Sequence, residues 1–255
     1  MATYPARADT LHFVVQTIAP QLDKLTLVLN QYKDVPPWLA GFANVDPVIP
    51  DQDTKDCGKL LPRHVDADLV FLLDDDILYP ADYVSRSCEM IRVLNIPGAV
   101  YGHHGLVYIR PRLRLSAHVL RDYSRIRRGK IFKLNQAFTY MQRVDRAHVV
   151  DELGTGVLIA PPQLLPRFDE VADAMGFIDT RVALLSYRRK IPLIALPHDA
   201  GWLKTIMFSQ SLYEDFSRHC PPEVADEIRQ YAFGHEHTAL RLGPLPEVSE
   251  RIWLP

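Results

Sequence analysis

The chain has 255 residues, 47% of them hydrophobic, and its 31 acidic and 29 basic side chains give a formal net charge of -2. That length buries a full core as one large domain or a domain with an appendage, and the near balance of charge argues against general nucleic-acid binding, which calls for a clear basic excess. Cys57, Cys88 and Cys220 are odd in number, far apart and without metal-ligand spacing, so they point to neither a disulfide framework nor a zinc site and fit a reducing compartment. The opening "MATYPARADTLHF" lacks the basic and apolar regions of a signal peptide, and no apolar run reaches the roughly 18 residues of a membrane span, so a cytoplasmic protein is expected.

Short apolar runs alternate with amphipathic segments. Leu11, Val14, Val15 and Ile18 fall at helical spacing between Ala8 and Ile18, and "LTLVLN" (25–30) reads as a buried strand. "VDPVIP" (45–50) is a shorter strand candidate, 54–61 a brief helix, and "DLVFLL" (68–73) a central strand. After Pro80 a helix is predicted through "ADYVSRSCEMIRVL". "GAVYGHHGLVYI" (98–109) reads as two strand pieces around a turn, "GVLIA" (156–160) as a strand, 177–190 as a helix and "PLIALP" (192–197) as a strand. A helix around 222–231 precedes a proline-bearing tail with no core element assigned. Strand and helix in alternation predict an α/β layer architecture with ligands at the C-terminal strand edges.

Asp74, Asp75 and Asp76 end the central strand run and precede the predicted helix. Three like charges this close need water or a divalent cation, and oxygen ligands suit magnesium or manganese. Strand alternation puts Asp74 and Asp76 on one side, able to share a metal, with Asp75 facing elsewhere. Magnesium keeps several waters and is often completed by substrate phosphates, which points to a nucleotide diphosphate. The plainer reading is an exposed acidic turn before a helix N-terminus.

With "DDDILYPADYV" in view, the chain resembles nucleotide-sugar-dependent glycosyltransferases of the GT-A fold, and is similar to the bacterial family 2-like enzymes of surface polysaccharide synthesis. The resemblance runs as an ordered series over about 3–204: "TYPAR" and "LTLVLNQYKDVP" look like the first nucleotide-binding strands, "DTKDCGKL" like the segment approaching the nucleotide, "GHHG" and "ELGTGVLIA" like the later sheet and donor-sugar loop. Only the acidic triplet is specific. The resemblance implies a GT-A-like catalytic domain at 1–204 with a central mixed, mostly parallel sheet, and a helical extension with a tail at 205–255 packed on the same domain. It also implies that Asp74 and Asp76 hold Mn2+ or Mg2+, that Asp75 contacts the donor, and that Tyr4, Arg7, Asp56 and Lys59 line the nucleotide. The donor is a nucleotide-diphosphate sugar, UDP by default, and the acceptor a glycan or lipid-linked glycan hydroxyl.

Asp179 is an ordinary helix cap by position, while the resemblance makes it the base of an inverting transfer. His198 is a structural histidine or, as in some members, a third metal ligand, with Asp199 a weaker candidate beside it. His104, next to His103 between two glycines, is read as a substrate contact, and Gly154, Thr155 and Gly156 as a loop where backbone can approach a sugar. The segment 110–133 carries nine basic residues and one acid, Asp122, and reads as a solvated face or as a contact with an anionic partner such as a lipid-linked acceptor or the inner membrane face. Two rival functions stay open: a sugar nucleotidyltransferase, against which the missing Gly-rich phosphate loop counts, and a non-catalytic carbohydrate- or membrane-binding protein on a transferase scaffold.

Overall fold

The strands Ala2–Thr3 (β1), Leu25–Leu29 (β2) and Val45–Val48 (β3) form a parallel sheet in the computed structural model of the chain, which describes residues 1–62, 66–109, 134–206 and 221–253. β2 is buried at all five positions because it is the middle strand, which explains its unbroken apolar run. The helix Ala8–Ile18 (α1) joins β1 to β2 and buries Leu11, Val14, Val15 and Ile18, the stripe its periodicity predicts. The brief helix expected after Thr54 is a 3-10 turn, Lys55–Leu60.

The chain continues through Val70–Leu73 (β4), Ile77–Leu78 (β5), the helix Tyr83–Leu94 (α2), Val100–Gly102 (β6) and Gly105–Tyr108 (β7). Then come Asn135–Phe138 (β8), His148–Val150 (β9), Glu152–Leu153 (β10) and Val157–Ala160 (β11). The short helix Phe168–Val171 (α3), the helix Ile178–Arg188 (α4) and the strands Leu193–Ala195 (β12) and Lys204–Thr205 (β13) follow. A five-stranded sheet has the order β4-β11-β6-β12-β9, and β7 pairs with both β8 and β10.

The architecture is mixed α/β with a mixed, partly parallel sheet. A mostly parallel sheet, the sequence expectation, is not what the pairings give: within the five-stranded sheet only β6 and β12 run parallel, and β11 is antiparallel to both β4 and β6. An apolar run buried on both faces reads the same in either direction, so composition carries no information on strand polarity. The two faces of the sheet follow the pleat. Leu158, Ala160, Leu193 and Ala195 pack toward α4, whereas Ile159 and Ile194 pack toward α2.

The helices Pro222–Tyr231 (α5), Gly234–Leu242 (α6) and Glu250–Trp253 (α7) complete the described chain. Val224, Ala225 and Ile228 of α5 join the core on the α4 side, and Arg181 of α4 reaches Glu227 at 2.7 Å. The tail, given no core element by the sequence reading, sends one side chain into the core: Trp253 is fully buried with Met90, Leu94, Tyr101, Ile159 and Ile194. One aromatic in a proline-bearing stretch makes no periodic signal, so its burial is visible only in three dimensions. No helix among the described residues is long and apolar enough to cross a membrane. The basic segment 110–133 lies outside the described residues.

Two neighbouring carboxylates hold the C-terminal helices. Asp151 accepts from the His235 backbone N–H at 2.8 Å and pairs with its Nδ1 at 2.7 Å, placing a negative charge at the start of α6. Glu152, 7% exposed, accepts from the hydroxyls of Tyr108, at 3.1 Å, and Tyr231. Burial pushes the Glu152 carboxyl up to about 7. The folded state therefore favours neutral Glu152, and this group's contribution to stability is lost as pH rises from the ordinary carboxylate range through about 7. A comparison of thermal unfolding at pH 5 and pH 8 should show the Glu152→Gln variant losing less stability than the wild type, by roughly 5 °C or more in Tm.

Candidate functional site

β4 ends at Leu73, and Asp74, Asp75 and Asp76 form a turn that enters β5 before α2 begins at Tyr83. The triplet is a turn and not extended strand, so its side-chain directions come from the turn and not from period-two alternation, and Asp74 and Asp76 take different fixed cations. Arg7, at the start of α1, donates from Nη1 to Asp75 Oδ1 at 2.5 Å and to Asp76 Oδ2 at 2.9 Å. Asp74 instead pairs through Oδ1 with the buried ammonium of Lys59. Asp75 faces inward, its side chain 5% exposed, while Asp74 and Asp76 stay partly open at 35% and 26%.

Lys59 is held in place by the end of β2. The Asn30 amide oxygen accepts from the Thr54 N–H at 2.8 Å and the Thr54 hydroxyl at 2.7 Å, and Asn30 Nδ2 donates to the Lys55 carbonyl at 3.0 Å. These three bonds fix the 3-10 turn that carries Asp56 and Lys59. Lys59 also donates to Thr155 Oγ1 at 3.2 Å, and Thr155 donates its hydroxyl and its N–H to Asp179 Oδ1 at 2.6 and 2.9 Å. Burial opposes the Lys59 charge, but Asp74 and Asp179 outweigh it and hold the ammonium protonated.

Asp179 thus reaches across to the Gly154-Thr155-Gly156 loop, and its helix has no side-chain cap. Asp56 accepts from the Gly176 N–H at 2.8 Å. Five carboxylates (Asp56, Asp74, Asp75, Asp76, Asp179) therefore surround two cations (Arg7, Lys59), a formal surplus of three negative charges. Asp76 is pushed up to about 6, first by burial and then by the charge of Asp74. Burial likewise raises Asp56, Asp75 and Asp179.

Tyr79, which carries no sequence signal, and Gly156 shape the triplet. The Asp74 N–H donates to the Tyr79 hydroxyl at 2.9 Å, and that hydroxyl donates to the Gly156 carbonyl at 2.6 Å, so a buried phenol ties the turn to the loop before β11. Gly156 leaves no room for a side chain: a Cβ there would lie 2.1 Å from Asp74 Oδ2. Gly154 is less tight, its nearest neighbour being His104 Cβ at 3.3 Å. On this side His104 lies against the Tyr140 ring, centroids 5.8 Å apart, and the Tyr140 hydroxyl bonds Thr205 Oγ1 at 2.7 Å.

Tyr4 is 37% exposed beneath the Arg7 guanidinium, 5.6 Å from ring to Cζ. The metal-ligand expectation for His198 fails. Its side chain is fully buried with Nδ1 3.0 Å from the Leu196 carbonyl and Nε2 3.2 Å from the Thr139 carbonyl, so backbone oxygens face both ring nitrogens. Asp199 instead accepts from the Ala200 N–H at 2.9 Å. His103 is buried as well, its Nε2 2.9 Å from Ser87 Oγ. Among the described residues no three His, Cys, Asp or Glu side chains converge as a metal cage. Asp74 Oδ2 and Asp76 Oδ1 take part in none of the bonds above and belong to the two partly open carboxylates of the triplet, so a divalent cation would draw its protein oxygens from these two, with solvent or a substrate phosphate completing the set.

Compared with known proteins, the chain matches no protein-family model and no curated protein.

Alanine at 156 should displace the Asp74 carboxylate from Lys59, whereas alanine at 154 asks His104 to give only a few tenths of an ångström. We expect Gly156→Ala to lower stability by about 2 kcal/mol and Gly154→Ala by clearly less, measured by urea unfolding.

Proposed function

We propose that this protein is a GT-A-like glycosyltransferase that moves a sugar from a nucleotide-diphosphate donor to a hydroxyl of a glycan or glycolipid acceptor. The observation that carries the reading is the strand-end cluster itself: carboxylates in excess of their fixed cations, two of them, Asp74 and Asp76, partly open to solvent, beside an exposed aromatic and the two cationic side chains Arg7 and Lys59. Such a cluster repels a diphosphate unless a divalent cation enters with it, and Asp74 and Asp76 would hold that cation. When bound, magnesium or manganese supplies charge stabilisation to the leaving diphosphate.

The residues divide the remaining work. Arg7 and Lys59 counter the phosphate charge, and Tyr4 offers a face to the nucleotide. The acceptor oxygen attacks the anomeric carbon, the bond from that carbon to the diphosphate oxygen breaks, and the acceptor proton passes to a base. Asp179 suits that role in an inverting transfer: burial raises its proton affinity, and Thr155 occupies only one of its oxygens.

Titration calorimetry with UDP, GDP and CMP, with and without manganese, tests the assignment. One nucleotide should bind only with metal, and Asp76→Ala should weaken that binding at least tenfold. The variant should keep its fold, since Arg7 retains Asp75 and a raised carboxyl is removed. Equal metal-dependent binding by the variant, or no nucleotide binding by the wild type, would sink the proposal.

A further inference from the structure

The acidic turn lies between two unlike walls. On one side stand the cations Arg7 and Lys59. On the other stand His104, Tyr140 and Thr205, contributed by the β6–β7 turn, the turn after β8, and β13. The second wall belongs to the same site: His104 is close enough to feel the Asp74 charge, Tyr140 those of Asp76 and Asp74, and the Ile206 N–H donates to the Asp76 carbonyl at 2.8 Å. Burial holds the His104 imidazole down to about 4, neutral at physiological pH. Tyr140 and Thr205 are neutral too, and share one hydrogen bond. Lys204, next to Thr205 in β13, is exposed and directed to the other face by strand alternation.

A phosphate belongs on the cationic wall. A wall of a neutral imidazole, a phenol and a hydroxyl offers ring faces and hydrogen bonds but no charge, which suits a pyranose. Resting on the transferase reading above, we infer that the sugar carried by the donor lies on the His104–Tyr140–Thr205 wall and is uncharged, a hexose or an N-acylated hexosamine, not a uronate. The charge balance makes this a matter of exclusion as well as fit. A divalent cation cancels two of the surplus negative charges and a diphosphate restores two, so a sugar carboxylate would enter a site still negative, with no fixed cation on its own wall among the described residues.

The test is calorimetric binding of UDP, UDP-glucose, UDP-N-acetylglucosamine and UDP-glucuronate with manganese, or of GDP, GDP-mannose and GDP-mannuronate if guanine is preferred. The neutral sugar nucleotides should bind at least as tightly as the bare nucleotide, and the uronate roughly tenfold more weakly than its neutral counterpart. His104→Lys should narrow that gap and His104→Gln should leave it in place. Tyr140→Lys provides the same added cation if lysine at 104 does not fold. A uronate that binds as tightly as the neutral sugar, or a gap unmoved by either lysine, overturns the inference while leaving the transferase reading standing. Absence of any nucleotide binding removes that reading and this inference with it.

Discussion

Lys59 sits almost without solvent between Asp74 and Thr155, and through Thr155 it is linked to Asp179. An ammonium in that position is stable only while its carboxylates remain; losing one partner of a buried pair costs about 3–5 kcal/mol, less where one side is partly open as Asp74 is. The placement of four segments follows from this requirement. The 3-10 turn must bring Lys59 up, the end of β4 must bring Asp74 to it, the loop before β11 must offer Thr155, and the first turn of α4 must offer Asp179. Arg7 repeats the arrangement on a smaller scale with Asp75 and Asp76.

Neutral groups set the distances within which those charges meet. Asn30 anchors the 3-10 turn to the end of β2, and Tyr79 bridges Asp74 and Gly156. Gly156 allows the Asp74 carboxylate to lie against its backbone, a close approach that any Cβ would prevent. The C-terminal helices are attached at the same place by different chemistry: Asp151 and Glu152 bind His235, Tyr108 and Tyr231 immediately before Leu153 and the loop. Those helices therefore help fix the loop that carries Thr155.

Both walls of the site arise from this frame. The cations enter from the parallel β1–β2–β3 side, where a helix start and a 3-10 turn follow strand ends. The aromatic wall comes from the antiparallel part, where the turn between β6 and β7 brings His104 over Gly154.

Most elements of the described core were legible in the sequence. α1, β2, α2, α4 and β12 each carry an apolar pattern strong enough to specify type and place, and the acidic triplet after an apolar run marked the candidate site. The strands β8, β9, β10 and β13 were not legible, because short pieces with polar or mixed faces carry no period. Asp56, Lys59, Asp74, Asp76, Thr155 and Asp179 were named from the sequence and do meet in space, but Tyr79, Asn30, Tyr140 and Glu152 were not found. A tyrosine five residues after an aspartate has no signature of a bridge until the loop it bridges to is in place. The sequence by itself determined which segments are buried and where carboxylates gather, since both follow from local composition and periodicity. Only the tertiary structure decided which cation each carboxylate takes, the burial of His198 and Trp253, and the antiparallel setting of β11, because long-range pairing depends on which segments the folded backbone brings within hydrogen-bond reach.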